Sequence, residues 1–285
     1  MRMFRPEMNM QRFKQSAERL TLPSIDPKEA LECIKKFVKA EKSWIPKKRG
    51  YSLYIRPAII GCQDWLGIGP SEKAIFFTIA CPVGPYYRPT GFAPVSLWAE
   101  ETMVRAWPGG TGQYKIGGNY APSVLVQMEV AKRGYQQVLW LFGQDRELTE
   151  VGTMNLFVFW RRPSDLKLEL RTPSLKDGTI LPGVTRDSIL ALTRQWGEFI
   201  VNEDKLTMEE LIQALGRGEV IEMFGAGTAA VISPVKRIHY RGVDYPIPLD
   251  PLDSNAQAGP LATRLWNTLS AIQYGEVEHE WSVII

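Results

Sequence analysis

The chain has 285 residues, 45% of them hydrophobic, and is therefore long enough for one large or two modest domains with a full core. Its 34 basic and 31 acidic residues leave a formal net charge of +3 and are interspersed along the chain, so we expect no nucleic-acid partner. No apolar stretch approaches the roughly 20 residues that cross a bilayer, and the N-terminus lacks the apolar core of a secretory signal. These features predict a soluble intracellular protein without a membrane partner.

Histidine and cysteine chemistry is close to excluded. Only His239 and His279 are present, too few for a histidine-rich metal site or a Ser-His-Asp triad. Cys33, Cys62 and Cys81 are far apart and show no zinc-binding spacing. We therefore expect no metal site, and chemistry that depends on lysine, tyrosine, glutamate, arginine or a cofactor.

The first part of the chain predicts a small α+β unit. Residues 1–6 end a strand, Asp26-Pro27 begins a helix, and residues 51–60 and 74–81 are β-rich runs. A segment rich in proline and glycine follows and predicts an interdomain connection. We expect a small domain at 1–84, an interdomain loop at 85–94 and a large domain at 95–285.

Strand and helix patterns alternate in the predicted large domain. We expect strands near 95–99, 137–142, 155–160 and 166–172. We expect helices at 123–133, after Leu181-Pro-Gly-Val-Thr185, after the capping box Thr207-x-x-Glu210, and at 261–272. The glycine-containing segment 225–230 follows an apolar run and predicts a loop between strands.

Lys115 lies in a turn with unusually bare backbone, because glycines stand at 112, 117 and 118. Such glycines suggest that something packs close to the turn. A phosphate-binding P-loop is excluded, because no glycine immediately precedes Lys115 and no serine or threonine follows it. By composition alone, a lysine on a surface turn is the commoner interpretation.

Several segments change that interpretation. Thr111–Tyr120 closely resembles the Schiff-base motif of branched-chain amino acid aminotransferases, and Leu148–Asn155 resembles the motif that faces the pyridine nitrogen of their cofactor. Leu181–Val184 and Phe224–Thr228 resemble their phosphate and carboxylate loops, and Ser52–Pro57 resembles their substrate strand. The order and spacing agree along the whole chain.

The resemblance implies a two-domain, fold-type IV, pyridoxal 5′-phosphate enzyme of the α+β (α/β) class, like D-amino acid aminotransferase. A small α+β domain would accompany a larger domain built around a curved, pseudo-barrel sheet. Lys115 would form the Schiff base and act as base, which requires a neutral amine, favoured by burial and cationic neighbours. Glu150 would keep the pyridine nitrogen protonated, and Tyr120 would hydrogen-bond the ring oxygen.

The resemblance also implies binding residues. An anionic phosphate suits the free N–H groups at a helix N-terminus, and the cofactor-binding set would be Arg12, Lys115, Tyr120, Glu150, Thr153, Gly183, Val184, Thr185 and Thr228. Tyr54 and Arg56 alternate along a strand and therefore share one face. The substrate-binding set would be Tyr54, Arg56, Tyr86, Thr228 and Ala229.

The implied reaction moves the amino group of L-leucine, L-isoleucine or L-valine to 2-oxoglutarate, in synthesis or breakdown of these amino acids. It gives L-glutamate and branched-chain 2-oxo acids, in a homodimer of the cytoplasm or mitochondrion. Family members usually carry a further stretch of small domain before the position of Met1, so we expect an N-terminally shortened form. The alternatives are a related enzyme, either a D-amino acid transaminase or an aminodeoxychorismate lyase, and a shortened, catalytically silent cofactor-binding protein.

Overall fold

The computed structural model describes residues 1–85 and 92–285. The chain divides into two compact units, Met1–Tyr86 with Ser270–Ile285, and Tyr87–Leu269. Within the described residues, the helices are α1 (Pro6–Arg19), α2 (Pro27–Ala40), α3 (Ser123–Lys132), α4 (Val184–Trp196), α5 (Met208–Gly216) and α6 (Pro260–Tyr274). The strands are β1 (Arg2–Phe4), β2 (Ser52–Cys62), β3 (Lys73–Val83), β4 (Val95–Glu100), β5 (Gln137–Phe142), β6 (Glu147–Val151), β7 (Met154–Arg161), β8 (Leu168–Thr172), β9 (Ile200–Glu203), β10 (Val220–Gly227), β11 (Val231–Tyr240), β12 (Val243–Pro246) and β13 (Ser282–Ile284).

The first unit joins two helices to a long β-hairpin. The Asp26 carboxylate accepts a hydrogen bond from the Lys28 N–H at 2.8 Å, which caps α2 as the sequence predicts. Strands β2 and β3 pair antiparallel over their whole length. The buried core of this unit comes from α1 and α2 and consists of Met10, Ala30, Leu31, Ile34 and Val38.

The C-terminal end of the chain belongs to the first unit, which differs from the predicted large domain at 95–285. Strand β13 pairs antiparallel with β1, and Met3 lies opposite Val283. The Arg5 N–H also donates to the Trp281 carbonyl at 2.8 Å. These long-range backbone bonds explain the difference, because local sequence patterns cannot reveal pairing between the two ends of a chain.

The second unit is built on one nine-stranded sheet that closes on itself. Its strands follow the order β10-β11-β4-β5-β6-β7-β8-β9, with β12 added beside β11. An additional pairing joins β10 to β7, so six of these strands form a closed ring and β8, β9 and β12 extend from it. The predicted curved, pseudo-barrel sheet is confirmed. Closure leaves no free edge in the ring, which protects those backbone groups from solvent and from pairing with other chains.

Buried apolar side chains form the core of this barrel. Leu97, Leu139, Leu156, Val158 and Val235 are completely inaccessible to solvent. Burial of one such side chain contributes roughly 1.5–3 kcal/mol, and the rigid core that results gives loops at the strand ends a fixed support.

Helix α5 covers the barrel through one apolar face. Met208, Leu211 and Ala214 are buried in the same core. Its N-terminus carries the predicted capping box, because Thr207 Oγ1 accepts from the Glu210 N–H and Glu210 accepts from the Thr207 N–H. In the part of the chain that the structure describes, no helix combines the length and hydropathy of a membrane span.

Candidate active site

The strand register gathers predicted site residues at one end of the barrel. Glu150 near the end of β6 lies opposite Asn155 at the start of β7. Asn155 in turn lies opposite Ala226 near the end of β10. Thr153 lies in the short turn between β6 and β7, and Thr228 follows β10 directly. Neighbouring strands therefore place these positions at the same end of the barrel.

Glu150 is buried, with a side-chain exposure of 2%, and its carboxylate is bonded on both oxygens. Oε1 accepts from the Leu181 N–H at 2.9 Å and from Asn155 Nδ2 at 3.2 Å, while Oε2 forms an ion pair with Arg105 Nε at 2.7 Å. Burial raises the pKa of Glu150 to about 6, against the opposing charge of Arg105. The structure therefore holds an acidic group that titrates within the physiological range.

Lys115 lies on the irregular segment between β4 and α3. Its Nζ donates to the Tyr120 hydroxyl at 3.2 Å and lies 5.3 Å from the centre of the Tyr120 ring. The Lys115 ammonium is also near enough to Glu150 to lower the pKa of that carboxyl. Both groups therefore act on one region, as the motifs predict.

We expected Lys115 to be buried, and in the single chain the residue is exposed. The glycines near Lys115 have different surroundings. A Cβ at Gly112 would meet the Ala106 Cβ at 2.5 Å and the Thr179 carbonyl oxygen at 2.8 Å, so this glycine permits a close approach. A Cβ at Gly117 or Gly118 would meet nothing within 4 Å. The predicted close packing is therefore confirmed at Gly112 and wrong at the other two positions.

Asn119 fixes the shape of the Lys115 segment. Its buried Nδ2 donates to the carbonyl oxygens of Thr111 and Tyr114 at 2.9 and 2.8 Å. Its Oδ1 accepts from Thr111 Oγ1 at 2.7 Å. Sequence analysis assigned no role to Asn119, although it lies inside the recognised motif, because its hydrogen bonds depend on how the segment folds back on itself.

The N-terminus of α4 is a buried helix end without a side-chain cap. Gly183 is its N-cap residue, and among the described residues this helix has no side-chain cap hydrogen bond. Val184 and Thr185 are each 5% exposed. Buried, uncapped N–H groups at the positive end of a helix are suited to an anion.

Asn155 links this helix end to Glu150. Its Nδ2 donates to the Leu181 carbonyl at 2.9 Å as well as to Glu150. A Cβ at Gly183 would collide with the Asn155 side chain, so glycine is required there for this close approach. Sequence analysis missed the role of Asn155 because the bond to Leu181 spans 26 residues.

The turn between β10 and β11 presents Thr228 and Ala229, which are both exposed. Gly225 and Gly227 precede it and pack against Met154, which a Cβ at either position would approach to 3.1 and 3.2 Å. Residues 228–230 form the turn between the strands, as predicted, whereas residues 225–227 belong to β10 and not to the predicted loop at 225–230. Elsewhere in the second unit, Tyr120 and Thr153 line a cavity of about 380 Å³.

Three of the predicted site residues that the structure describes belong to the first unit. Arg12 lies on α1, where its Nη2 donates to Asn9 Oδ1 at 3.3 Å. Tyr54 and Arg56 lie on β2, and Arg56 Nη2 donates to the Tyr54 hydroxyl at 3.2 Å, so they share one face as predicted. Tyr86 lies outside the described residues.

The family model for class IV amino-transferases matches residues 1–238. A branched-chain-amino-acid aminotransferase of Dictyostelium discoideum is 53% identical over 284 residues, which cover 100% of this chain and 73% of that protein. The mitochondrial protein of that name from Bos taurus is 51% identical, with 98% of this chain and 70% of that protein covered. The cytosolic one from Mus musculus is 50% identical, with coverage of 99% and 71%.

Solved structures give the same result at lower identity. A branched-chain amino acid aminotransferase of T.th., solved with pyridoxamine 5′-phosphate, has a TM-score of 0.78 and 26% identity. The alignment covers 98% of this chain and 83% of that one. The Escherichia coli enzyme has a TM-score of 0.74 and 26% identity, with coverage of 98% and 82%.

Proposed function

We infer the function of this chain from one premise: it belongs to the class IV aminotransferases and, within them, to the branched-chain-amino-acid aminotransferases. The predicted family and fold-type IV architecture are thereby confirmed. The chain transfers the amino group of L-leucine, L-isoleucine or L-valine to 2-oxoglutarate, giving 2-oxo acids and L-glutamate. Identity near 50% along the whole chain is the observation that carries this conclusion.

Pyridoxal 5′-phosphate is the cofactor that we propose, and the described residues fit its three functional groups. The uncapped, buried N-terminus of α4 suits a phosphate, the exposed Lys115 amine suits an aldehyde, and the buried Glu150 carboxylate suits a protonated pyridine nitrogen. When bound, this cofactor supplies an electron-withdrawing ring that stabilises the negative charge left when the substrate α-proton departs. Its binding set would be Arg12, Lys115, Tyr120, Glu150, Thr153, Gly183, Val184, Thr185 and Thr228.

Lys115 is the residue that we assign to proton transfer. Its Nζ already shares a hydrogen bond with the Tyr120 hydroxyl, so the amine has a polar partner that can orient it. A neutral amine at Nζ can take the α-proton of the substrate and return it to a neighbouring carbon. Exposure of Lys115 in the single chain leaves room for a substrate to reach this nitrogen.

Glu150 is the residue that we assign to charge stabilisation. Three donors fix its carboxylate, so its orientation is set before any ligand arrives. A preorganised carboxylate costs little reorganisation when positive charge forms beside it. With a pKa of about 6, Glu150 is largely ionised near neutral pH in the absence of a ligand.

Substrate recognition is assigned to carboxylate-binding groups. Arg56 and Tyr54 share one face of β2 and offer a cation and a hydroxyl, which suit the carboxylates of the amino acid and of 2-oxoglutarate. Thr228 and Ala229 are exposed in their turn, and their backbone N–H groups would bind the α-carboxylate. Tyr86 completes the proposed substrate set.

A homodimer is the assembly that we propose. Large apolar side chains of the second unit are exposed in the single chain, at Met103, Val104, Trp107, Val124, Leu125 and Met128. We propose that a second copy of the chain covers these apolar side chains, as at other protein–protein contacts. We also propose an intracellular location, since the relatives are named as cytosolic and mitochondrial proteins.

The function is tested by incubating the purified chain and pyridoxal 5′-phosphate with L-leucine and 2-oxoglutarate and measuring L-glutamate. We expect glutamate to form, and the absorbance of the bound cofactor to change when L-leucine is added alone. Turnover of D-alanine in place of L-leucine would favour the D-amino acid transaminase alternative. A bound cofactor whose spectrum ignores L-leucine would favour the silent cofactor-binding protein.

A further inference from the structure

Arg105 is a buried cation beside the site, to which sequence analysis assigned no role. It lies in the irregular segment after β4, and its side chain is 5% exposed. Buried arginines are rare and are normally paired. Here the pairing partner is Glu150, whose Oε2 lies 2.7 Å from Arg105 Nε.

The rest of the Arg105 guanidinium bonds two further segments. Nη1 donates to the Thr179 carbonyl at 2.8 Å, and Nη2 lies 3.4 Å from the Gly112 carbonyl. Thr179 belongs to the segment that leads into α4, and Gly112 belongs to the segment that carries Lys115. The planar guanidinium of Arg105 therefore connects the Glu150 carboxylate, the segment that carries Lys115 and the segment that leads into α4.

The close approach of these segments has independent support. Gly112 lies so near Thr179 that a Cβ would come within 2.8 Å of the Thr179 carbonyl oxygen. The Leu181 N–H, two residues further along, donates to Glu150 at 2.9 Å. The contacts of Arg105 thus belong to a tightly packed junction in which a displaced guanidinium would disturb all three segments.

The charge of Arg105 also acts on the ionisation of Glu150. Burial raises the pKa of Glu150 to about 6, and Arg105 is the largest influence in the opposite direction. Without the positive charge of Arg105, the effect of burial would be less compensated, and the pKa of Glu150 would rise further. More of the carboxyl would then be protonated near neutral pH.

We propose that Arg105 is a positioning residue. It holds Glu150 ionised and oriented, and it connects the segment that carries Lys115 to the segment that leads into α4. This inference rests on the proposed function, because the assigned role of Glu150 gives Arg105 its importance for the reaction. Arg105 acts through Glu150 and is not assigned any contact with substrate.

The first test follows Glu150 itself in the cofactor-free chain. The infrared band of its protonated carboxyl, assigned by its loss in Glu150→Gln, is titrated in the wild-type chain and in Arg105→Gln. We expect the band to persist to higher pH in Arg105→Gln. Arg217→Gln is the matched control, because Arg217 pairs with Glu219 at the surface, with a side-chain exposure of 47%. An identical Glu150 titration in folded Arg105→Gln and wild type would overturn the proposal.

The second test uses the holoenzyme. In Arg105→Gln we expect kcat to fall roughly 10–100-fold, as for other residues that orient a reacting group, with little change in the KM for L-leucine. The acidic limb of the kcat profile should move to higher pH. Arg217→Gln should retain the wild-type profile.

Arg105→Lys keeps the positive charge but lacks the planar guanidinium. This variant provides the test if Arg105→Gln does not fold. We expect the acidic limb to stay near that of the wild type while kcat falls, because the bonds to Thr179 and Gly112 are lost. A folded Arg105→Lys with wild-type kcat would overturn the positioning role. If the wild-type chain fails to transaminate L-leucine but the Glu150 band still shifts in Arg105→Gln, the proposed function fails and the Arg105–Glu150 coupling stands.

Discussion

Glu150 and Glu222 are two buried carboxylates of the same barrel, with exposures of 1% and 2%. Glu222, on β10, accepts from the N–H groups of Leu261 and Ala262 at 2.9 Å each and so caps the N-terminus of α6. Glu150 accepts from one backbone N–H and one amide side chain and pairs with Arg105. Burial raises the pKa of both, to about 6 for Glu150 and about 7 for Glu222.

The difference between the two lies in their partners. Burial and a raised pKa are common to both, so neither property identifies a reactive site by itself. Three cations lower the pKa of Glu150, namely Arg105, Lys115 and Arg186. Glu222 instead bonds to a helix end, and the negative charge of Asp250 raises its pKa. A buried carboxylate with a nearby amine can support chemistry, while one that closes a helix end has a structural role.

The largest expected effect follows from removing the Lys115 amine, which lies near Glu150 and distinguishes it from Glu222. Lys115→Ala should lower turnover on the order of 10³-fold or more, because the substrate α-proton loses its assigned acceptor. The initial rate of glutamate formation measures the loss. Lys132→Ala is the matched control, since Lys132 pairs with Glu129 on the exposed surface of α3. Turnover retained in Lys115→Ala would remove the central residue from the assignment.

The next effect separates the two carboxylates directly. Glu150→Gln should lower kcat roughly 10²–10³-fold, the scale for loss of one preorganised electrostatic partner. Glu222→Gln should leave kcat near wild type, because Glu222 bonds to α6 and not to the site. Steady-state kinetics of both variants at one pH give the comparison. Equal losses in the two variants would contradict the distinction drawn between them.

Sequence patterns predicted the parts of the site that depend on local chemistry. The Lys115 and Glu150 segments were found through contiguous motifs. The caps at Asp26 and Thr207 were found because a capping side chain and its N–H partner lie within three residues. Turn and cap residues act over short distances, and a single sequence displays them fully.

The missed features depend on contacts between distant residues or on weak local signals. Arg105 and its carboxylate are 45 residues apart, and Arg105 lies outside the recognised motifs. Helix α1 was not predicted, because its N-cap residue Arg5 provides no side-chain cap. Strand β6 was not predicted, since its burial depends on its neighbours β5 and β7 and not on its own composition.

The third prediction concerns stability and pH at Glu222. Its folded pKa of about 7 exceeds the ordinary value of 4.5, so the folded chain binds this proton more tightly than the unfolded chain does. The contribution is present below about pH 4.5 and is lost as the pH rises toward 7, by roughly 3 kcal/mol in total. Urea unfolding at several pH values should show this decline in wild type and a flatter profile in Glu222→Gln. Parallel profiles for the two proteins would contradict it.

The smallest expected effect concerns Asn155, whose amide donates to Glu150, whereas both donors to Glu222 are backbone groups. The test asks whether this side-chain donor contributes to kcat. Asn155→Ala removes the bonds to Glu150 Oε1 and to the Leu181 carbonyl. A hydrogen bond to a charged group contributes about 1.5 kcal/mol or more, so kcat should fall about tenfold. Asn202→Ala is the matched control, because Asn202 Nδ2 donates to the buried Glu169 at 3.1 Å. If both variants lose activity equally, the loss reflects general destabilisation, and Asn155 has no specific role in orienting Glu150.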